Sequence, residues 1–422
     1  MIALDLPAPW LWALRWLLFL GPLTAFAVLA LGIRFERRRL VACLFAFLYG
    51  LGLIFVTHRL AIAAGWWRYG GDVLLLEGIP ADIWVGGALL FGPVLYLAFP
   101  RVGPLWLTLP IIVLLHGLFF ASLPPLVYPG PGWPLGVLLV FAAAHIPALY
   151  LARWTAQDRH LPERATLLAL GYGFLAFGVL PCLILRAMGS EWTLFAQPWW
   201  LLVICAAMLA PLLVLGLSAV QFFVVYGEGT PIPLDPTKRL VGAGMFAYIR
   251  NPMQLCTAAS WVVLGVALNS IWVASAALMA GVFVLGMVRW HHRHDLMVRF
   301  PEGWPEYRAH VGEWLPRWRP WRPVAARLVV DPTDPRQMHL ARWLARSRVV
   351  GLLIDEVEGG RLVYVDGNIR VGGPLAACRA LEHINFAWAL LGAAGLLVLW
   401  PAEELRRRKR AWLRRVGLAH HA

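Results

Sequence analysis

Two short polar stretches, Arg250-Asn251-Pro252 and His291-His292-Arg293-His294-Asp295, flank an apolar double run in the second half of the chain. A guanidinium fork and a carboxamide at the first turn of a helix suit a carboxylate or a phosphate, because the helix start adds unpaired N–H groups and partial positive charge. Pro252 fits that first turn, where a missing N–H costs nothing. Just upstream, Gly227, Gly229, Pro231, Pro233 and Pro236 break any helix and give a rigid irregular segment. Gly242 and Gly244 let the backbone approach a ligand closely. The histidine cluster raises the question of a metal. Adjacent helical residues point about 100° apart, so only His291 and His294 share a face, and no carboxylate pair supports them; no metal is expected. The bland alternative is that arginine and histidine at the end of a membrane span simply reach the headgroups.

The elements that must position these residues are apolar helices. The 422-residue chain is 60% hydrophobic and only 14% charged, with a mean hydropathy of +0.68. A soluble domain carries about a quarter charged residues. Continuous apolar runs of 17 or more residues recur, and ~30 Å of hydrocarbon needs about that many at 1.5 Å each. The expected fold is all-α: a polytopic transmembrane helical bundle of about nine spans with a small mixed cytoplasmic C-terminal tail. A spanning β-barrel is excluded because the runs are continuous, not alternating.

Spans are expected at about 10–33, 40–56, 83–99, 104–121, 135–152, 165–186, 199–225, 253–268 and 271–289. The run 10–33 is too long and apolar for a cleavable signal peptide. Basic clusters at Arg34, Arg37, Arg38 and Arg39, at Arg101, and at Arg153, Arg159 and Arg164 fall on one side each time. The positive-inside rule then places the N-terminus outside and the C-terminus in the cytoplasm, in a bacterial inner membrane. The net charge of +14 is absorbed by these loops, and no nucleic-acid partner is expected. The loop 57–82, with Trp66-Trp67-Arg68-Tyr69, reads as an interfacial aromatic belt or the lining of a substrate entrance. His116 and His145 are single histidines inside spans, expected as hydrogen-bonded interior groups. Arg15, also inside a span, can snorkel. The five cysteines are scattered without metal or redox spacing and read as small buried hydrophobes.

The last two expected spans form a hairpin turning near Asn269-Ser270, which brings Arg250 and the histidine cluster back to one membrane face. Three regions result: a bundle over 1–195, a membrane core over 196–322 and a cytoplasmic or interfacial region over 323–422. In the last, strand-like runs occur at Gly351–Ile354 and Arg361–Val365, with a turn at Asp366-Gly367. The apolar run 385–400 is expected as an interfacial or re-entrant helix, its following basic run Arg406 to Arg410 touching anionic lipid headgroups.

Residues 226–317 resemble the isoprenylcysteine carboxyl methyltransferase and phospholipid methyltransferase family of integral-membrane enzymes. The resemblance rests on Gly227 to Pro233 (Gly-x-Gly-Thr-Pro-x-Pro), on Leu240 to Met253 ending Tyr-x-Arg-Asn-Pro-Met, and on Phe300, Trp304, Tyr307, Val311 and Trp314 to Arg317. It implies S-adenosylmethionine as cofactor and a lipophilic, isoprenoid or phospholipid-like methyl acceptor arriving from the bilayer. By resemblance Gly244, Tyr248, Arg250, Asn251, Pro252, Gln254, His292 and Arg293 shape the cofactor site, with Arg250 and His292 nearest the chemistry. Two departures stand out. Gln254 replaces the family's usual Tyr, and His292 and Arg293 replace its usual Glu pair, with Asp295 the only nearby carboxylate able to substitute. The alternative is a non-catalytic relative binding a lipid or a partner protein. A transporter would call for charges at mid-bilayer, and few exist. The segment around Val365-Asp366-Gly367 and Gly372-Gly373 is faintly similar to the second half of a thioredoxin-like family, without its cysteine motif.

Overall fold

The computed structural model describes residues 7–34, 36–70, 74–111, 114 and 126–415, and the side chains of all these except 8, 284, 291, 292 and 402–415. The chain divides into two compact units, Met1–Trp192 and Thr193–Ala422. Among the described residues six helices are long and apolar enough to cross a membrane. The protein is a mostly helical membrane protein.

Unit 1 contributes four of the six: α1 (Ala8–Gly32), α2 (Arg37–Ala63), α5 (Trp133–Gln157) and α6 (Leu161–Ala187). Between them lie the shorter apolar α3 (Asp82–Ala98) and the described part of α4 (Pro104–Ile111). The rest of the expected fourth span, His116 included, lies outside the described residues. Two-thirds of the apolar window of α2 is buried, against 17% for α1, so α2 is the axis of the unit. Small residues let its neighbours close in: Gly50 meets Ala88, Gly92 meets Ala46, and Gly52 meets the backbone of Gly171. That is the packing expected where lipid removes the hydrophobic drive between helices.

The second span is longer than its expected end at residue 56. Thr57, His58 and Arg59 continue the helix to Ala63, with the Thr57 hydroxyl donating back to the Leu53 carbonyl at 2.7 Å. The loop beyond it forms a two-stranded ribbon, β1 (Trp67–Tyr69) against β4 (Val127–Pro129), and a hairpin of β2 (Leu75–Leu76) with β3 (Ile79–Pro80). Arg15 does not snorkel. It is 7% exposed and grips Asp82 through both carboxylate oxygens at 3.1 and 3.2 Å.

Unit 2 begins with α7 (Trp199–Val225), passes through an irregular segment, and enters a helical hairpin of α8 (Pro252–Ala267) and α9 (Ile271–Arg299). Asn269 takes the left-handed conformation at the hairpin turn (φ 49°), which asparagine tolerates. The Ser270 hydroxyl then accepts the Val273 N–H at 3.4 Å. Gly265 lies where any Cβ would overlap Ala274, so the two helices touch through backbone.

After α10 (Gly303–His310) the chain forms a four-stranded sheet. It has β5 (Ala326–Val330), α11 (Pro335–Arg346), β6 (Leu352–Glu356), β7 (Val363–Asp366), β8 (Ile369–Gly372) and α12 (Pro374–Leu381). The strand order is β6-β5-β7-β8, with β5 parallel to β6 and the other pairs antiparallel. The turn at Asp366-Gly367 joins β7 to β8, with Gly367 at φ 55°. Leu328, Val330, Leu344, Tyr364, Ala376, Ala380 and Leu396 form its core.

The apolar run expected as an interfacial or re-entrant segment has no re-entrant turn. It is the first half of one uninterrupted helix, α13 (Phe386–Arg415), and its Ala389 and Ala393 pack with Leu215 of α7 and with Tyr248.

Candidate functional site

The turn that precedes α8 is held by a strap from the far side of the hairpin. The Tyr307 hydroxyl donates to the Phe246 carbonyl at 2.8 Å. Three backbone bonds run alongside: Arg250 N–H to Gly312 O, Arg317 N–H to Tyr248 O, and Trp321 N–H to Ala247 O, each at 2.9 Å. Trp304, Tyr307 and Val311 are buried as one cluster against Phe300 and Trp321. The aromatic spacing of 300–321 therefore anchors the strap.

Beside this strap is a cavity of about 290 Å³ lined by Arg250, Arg289, Arg293, Arg308 and Glu313. The hairpin does what its length dictates: α8 leads away from Arg250, and α9 returns Arg289 and Arg293 to the same place. Arg289 and Arg293 sit one helical turn apart, where like charges repel unless something negative lies between them. Four guanidinium groups face one carboxylate. Glu313 is 3.8 Å from Arg289. Burial is the main influence on Arg250 and lowers its pKa, with Glu313 opposing. The buried Arg250 Nε meets no acceptor among the described residues.

The residues expected to share a site are divided by the structure. Arg250 and Arg293 line the cavity. Tyr248 is fully buried and donates its hydroxyl to the Glu382 carbonyl at 2.9 Å, so it pins the turn instead of facing a ligand. Gly244 adopts φ 56° under the Phe222 ring, where no Cβ fits. Asn251 is 3% exposed at the start of α8, its Nδ2 without a partner among the described residues, and Pro252 is buried behind it. Gln254, on α8, is half-buried and away from the cavity wall. The His292 side chain lies outside the described residues. Asp295 is engaged by Arg299 through a one-turn ion pair and does not serve the cavity; Glu313 is the carboxylate there. Arg289, Arg308 and Glu313 escaped the sequence reading. The Arg289–Arg293 spacing of one turn was a usable signal; nothing local marks Glu313.

Comparison with family models, curated proteins and solved structures finds no match.

A second polar assembly lies under the sheet. Arg379, with no exposed surface, donates to Glu382 at 3.0 Å and stacks over the rings of Phe222 (4.4 Å) and Tyr226 (5.5 Å). Arg322 donates to Asp366 at 2.6 Å. His383 lies between the Val350 carbonyl (2.8 Å, Nδ1) and the Tyr364 hydroxyl (2.9 Å, Nε2). The carbonyl can only accept, so Nδ1 carries the proton, and the single Tyr364 O–H is shared between His383 Nε2 and the Asp366 carboxylate, 3.3 Å away. Burial pushes the Glu382 carboxyl up to about 7, against the pull of Arg379 and Arg322. Burial also pushes His383 down to about 4, and nearby Arg322 adds to the fall.

The His383 shift makes a pH prediction. Its folded-state value is depressed, so its contribution is complete above the ordinary value of 6.5 and is lost as pH falls toward 4. At 1.36 kcal/mol per unit this amounts to about 3 kcal/mol. Chemical denaturation of the full chain in detergent, compared with His383→Gln between pH 7 and pH 4, is expected to show the wild-type advantage shrinking by that amount. A pH-independent difference would mean that His383 is not held neutral.

Proposed function

We propose that unit 2 is a membrane-embedded S-adenosylmethionine-dependent methyltransferase acting on a lipophilic acceptor. The observation that carries this reading is the cavity between the Arg250 turn and the returning end of α9, with Arg250 and Glu313 both on its wall. An α-amino acid end needs a guanidinium for its carboxylate and a carboxylate for its ammonium, and these two side chains supply one of each. Arg250 Nε, a buried donor without an acceptor among the described residues, is of the kind such a carboxylate would satisfy. When bound, the cofactor supplies an electrophilic methyl group. The chain's own work is to orient and to exclude water. Arg250 holds the anionic end, the strap 311–321 fixes Arg250 through its backbone, and the apolar hairpin admits an acceptor from lipid.

In this reading the chain crosses a bacterial inner membrane about nine times, N-terminus outside, and the basic run Arg406 to Arg410 meets anionic headgroups. The membrane face shared by Arg250 and Arg293 is then cytoplasmic.

The excess of arginine favours a second reading, in which the cavity only binds an anionic lipid headgroup. Titration calorimetry of the full chain in detergent separates them. Micromolar S-adenosylmethionine binding, weakened at least tenfold in both Arg250→Ala and Glu313→Gln, is the expected result, since a charge-assisted hydrogen bond contributes about 1.5–3 kcal/mol. No binding at millimolar cofactor, with phosphate bound instead, would overturn the enzyme reading in favour of the second.

A further inference from the structure

The arginine cavity of unit 2 carries more positive charge than its own residues or the cofactor can balance. Arg250, Arg289, Arg293 and Arg308 line it, and Glu313 is the one carboxylate among the described lining residues. Three guanidinium charges are left uncompensated. Asp295, the acid nearest to Arg293 in sequence, is paired with Arg299. S-adenosylmethionine makes the imbalance larger: its carboxylate and ammonium cancel, and its sulfonium adds another positive charge. Repulsion among charges held this close grows as water is excluded. Whatever fills the rest of the cavity has to bring negative charge, and more than one unit of it.

The backbone places these arginines. In α9, one π-helical turn (Val284–Val288) ends just before Arg289 and a second (His292–Leu296) contains Arg293. Such turns interrupt the helix ladder and are frequent at functional sites. Arg308 comes from α10, which is anchored by the buried Trp304 and Tyr307. Arg289 keeps 48% of its side chain exposed, and Arg293 and Arg308 are also exposed, so a ligand can reach all three.

The same helix indicates where the negative charge comes from. Leu278, Val282 and Leu285 are exposed on α9, which is long and apolar enough to cross a membrane. Facing lipid, they lead along the helix to Arg289 and Arg293. A molecule whose tail lies on this surface brings its head to the arginines. A guanidinium fork matches two phosphate oxygens at once. A phosphodiester head carries a single negative charge, whereas a terminal phosphate carries about −1.5 to −2 at pH 7 and offers three strong acceptor oxygens. The terminal phosphate is the better match to three arginines.

We infer that Arg289, Arg293 and Arg308 form a subsite for a terminal phosphate borne by a lipid, beside the Arg250–Glu313 end of the cavity. In making that lipid the methyl acceptor, the inference rests on the methyltransferase reading; the phosphate subsite itself does not.

The test is titration calorimetry of the full chain in a zwitterionic detergent at pH 8, with and without S-adenosylmethionine. The probes are dihexanoyl phosphatidic acid, which has a terminal phosphate, dihexanoyl phosphatidylglycerol, which has the same chains on a phosphodiester, and inorganic phosphate. Saturable binding of phosphatidic acid, at least tenfold tighter than either other probe, is the expected result. Arg289→Gln, Arg293→Gln and Arg308→Gln should each weaken it about tenfold, the loss of one charge-assisted contact. Arg293→Lys should recover only part, because an ammonium keeps the charge and loses the fork. These side chains are exposed, so the variants should elute as wild type does. Equal affinity for the two lipids, or no response to any of the three substitutions, would overturn the subsite. Inorganic phosphate bound as tightly as phosphatidic acid would replace the lipid with a soluble anion and overturn the lipid assignment. Phosphatidic acid bound as expected, with S-adenosylmethionine failing to bind, would support the subsite and remove only the cofactor.

Discussion

Arg379→Ala is expected to cost unit 2 about 3–5 kcal/mol, the usual consequence of removing one partner of a buried ion pair. The side chain has no exposed surface, so solvent cannot fill its place. It touches three groups at once: the Glu382 carboxylate at 3.0 Å, the Phe222 ring and the Tyr226 ring. Among the described residues its Nε and Nη2 have no partner, and the guanidinium rests on this carboxylate and two ring faces. Without Arg379, Glu382 loses the strongest influence holding its carboxyl down, and its value rises beyond about 7. A carboxyl raised in the folded state stabilises fully below its ordinary value and loses that contribution as pH climbs through the raised value. The deficit of the variant should therefore widen above pH 7. Arg379→Met keeps most of the volume and separates packing from charge. Pulse proteolysis of the full chain at pH 6 and pH 8 reads both effects. An Arg379→Ala protein within 1 kcal/mol of wild type at both values would refute the pair's structural role.

Gly244→Ala is the second large effect, expected to cost about 2–5 kcal/mol and to disable the arginine cavity. The position combines two separate demands. Its φ of 56° is left-handed, which costs a residue with a Cβ about 1–2 kcal/mol. The added methyl would also overlap the Phe222 ring, which is fully buried between Gly244 and the Arg379 guanidinium and cannot retreat. Overpacking of that kind typically costs 1–3 kcal/mol. Phe222→Leu in the same chain should recover the overlap component and leave the backbone component, so the cycle of two single variants and the double variant gives a favourable coupling. Ligand binding at the cavity should fall with Gly244→Ala, because the displaced turn carries Arg250. Full stability in the single variant would show that the turn moves freely over Phe222.

Both effects lie in residues whose roles differ from what their types imply. Glycine before an Arg-Asn-Pro turn reads as room for a ligand; here the room is taken by Phe222. Tyr248 reads as a site residue and is instead tied to the Glu382 carbonyl, 134 positions away. Glu382 and His383 precede an apolar run in the sequence, yet both are buried. Of the sheet, β6, β7 and the Asp366-Gly367 turn were legible, because β-branched residues and a glycine mark them. β5 and β8 were not, since alternation over only five and four residues is too short to stand out from the sequence around it.

The sequence by itself determined that this is a helical membrane protein, because lipid solubility is summed over about 20 consecutive residues and needs no tertiary partner. It also determined the hairpin after Pro252, since two apolar runs joined by two polar residues can only return to the face they left. From that alone came the meeting of Arg250 with Arg293. Only the tertiary structure decided that Glu313, and not Asp295, completes their cavity and that Arg15 closes on Asp82. Those pairings join residues dozens of positions apart. Local propensity reaches about one helical turn, and which distant charges meet depends on how the helices pack.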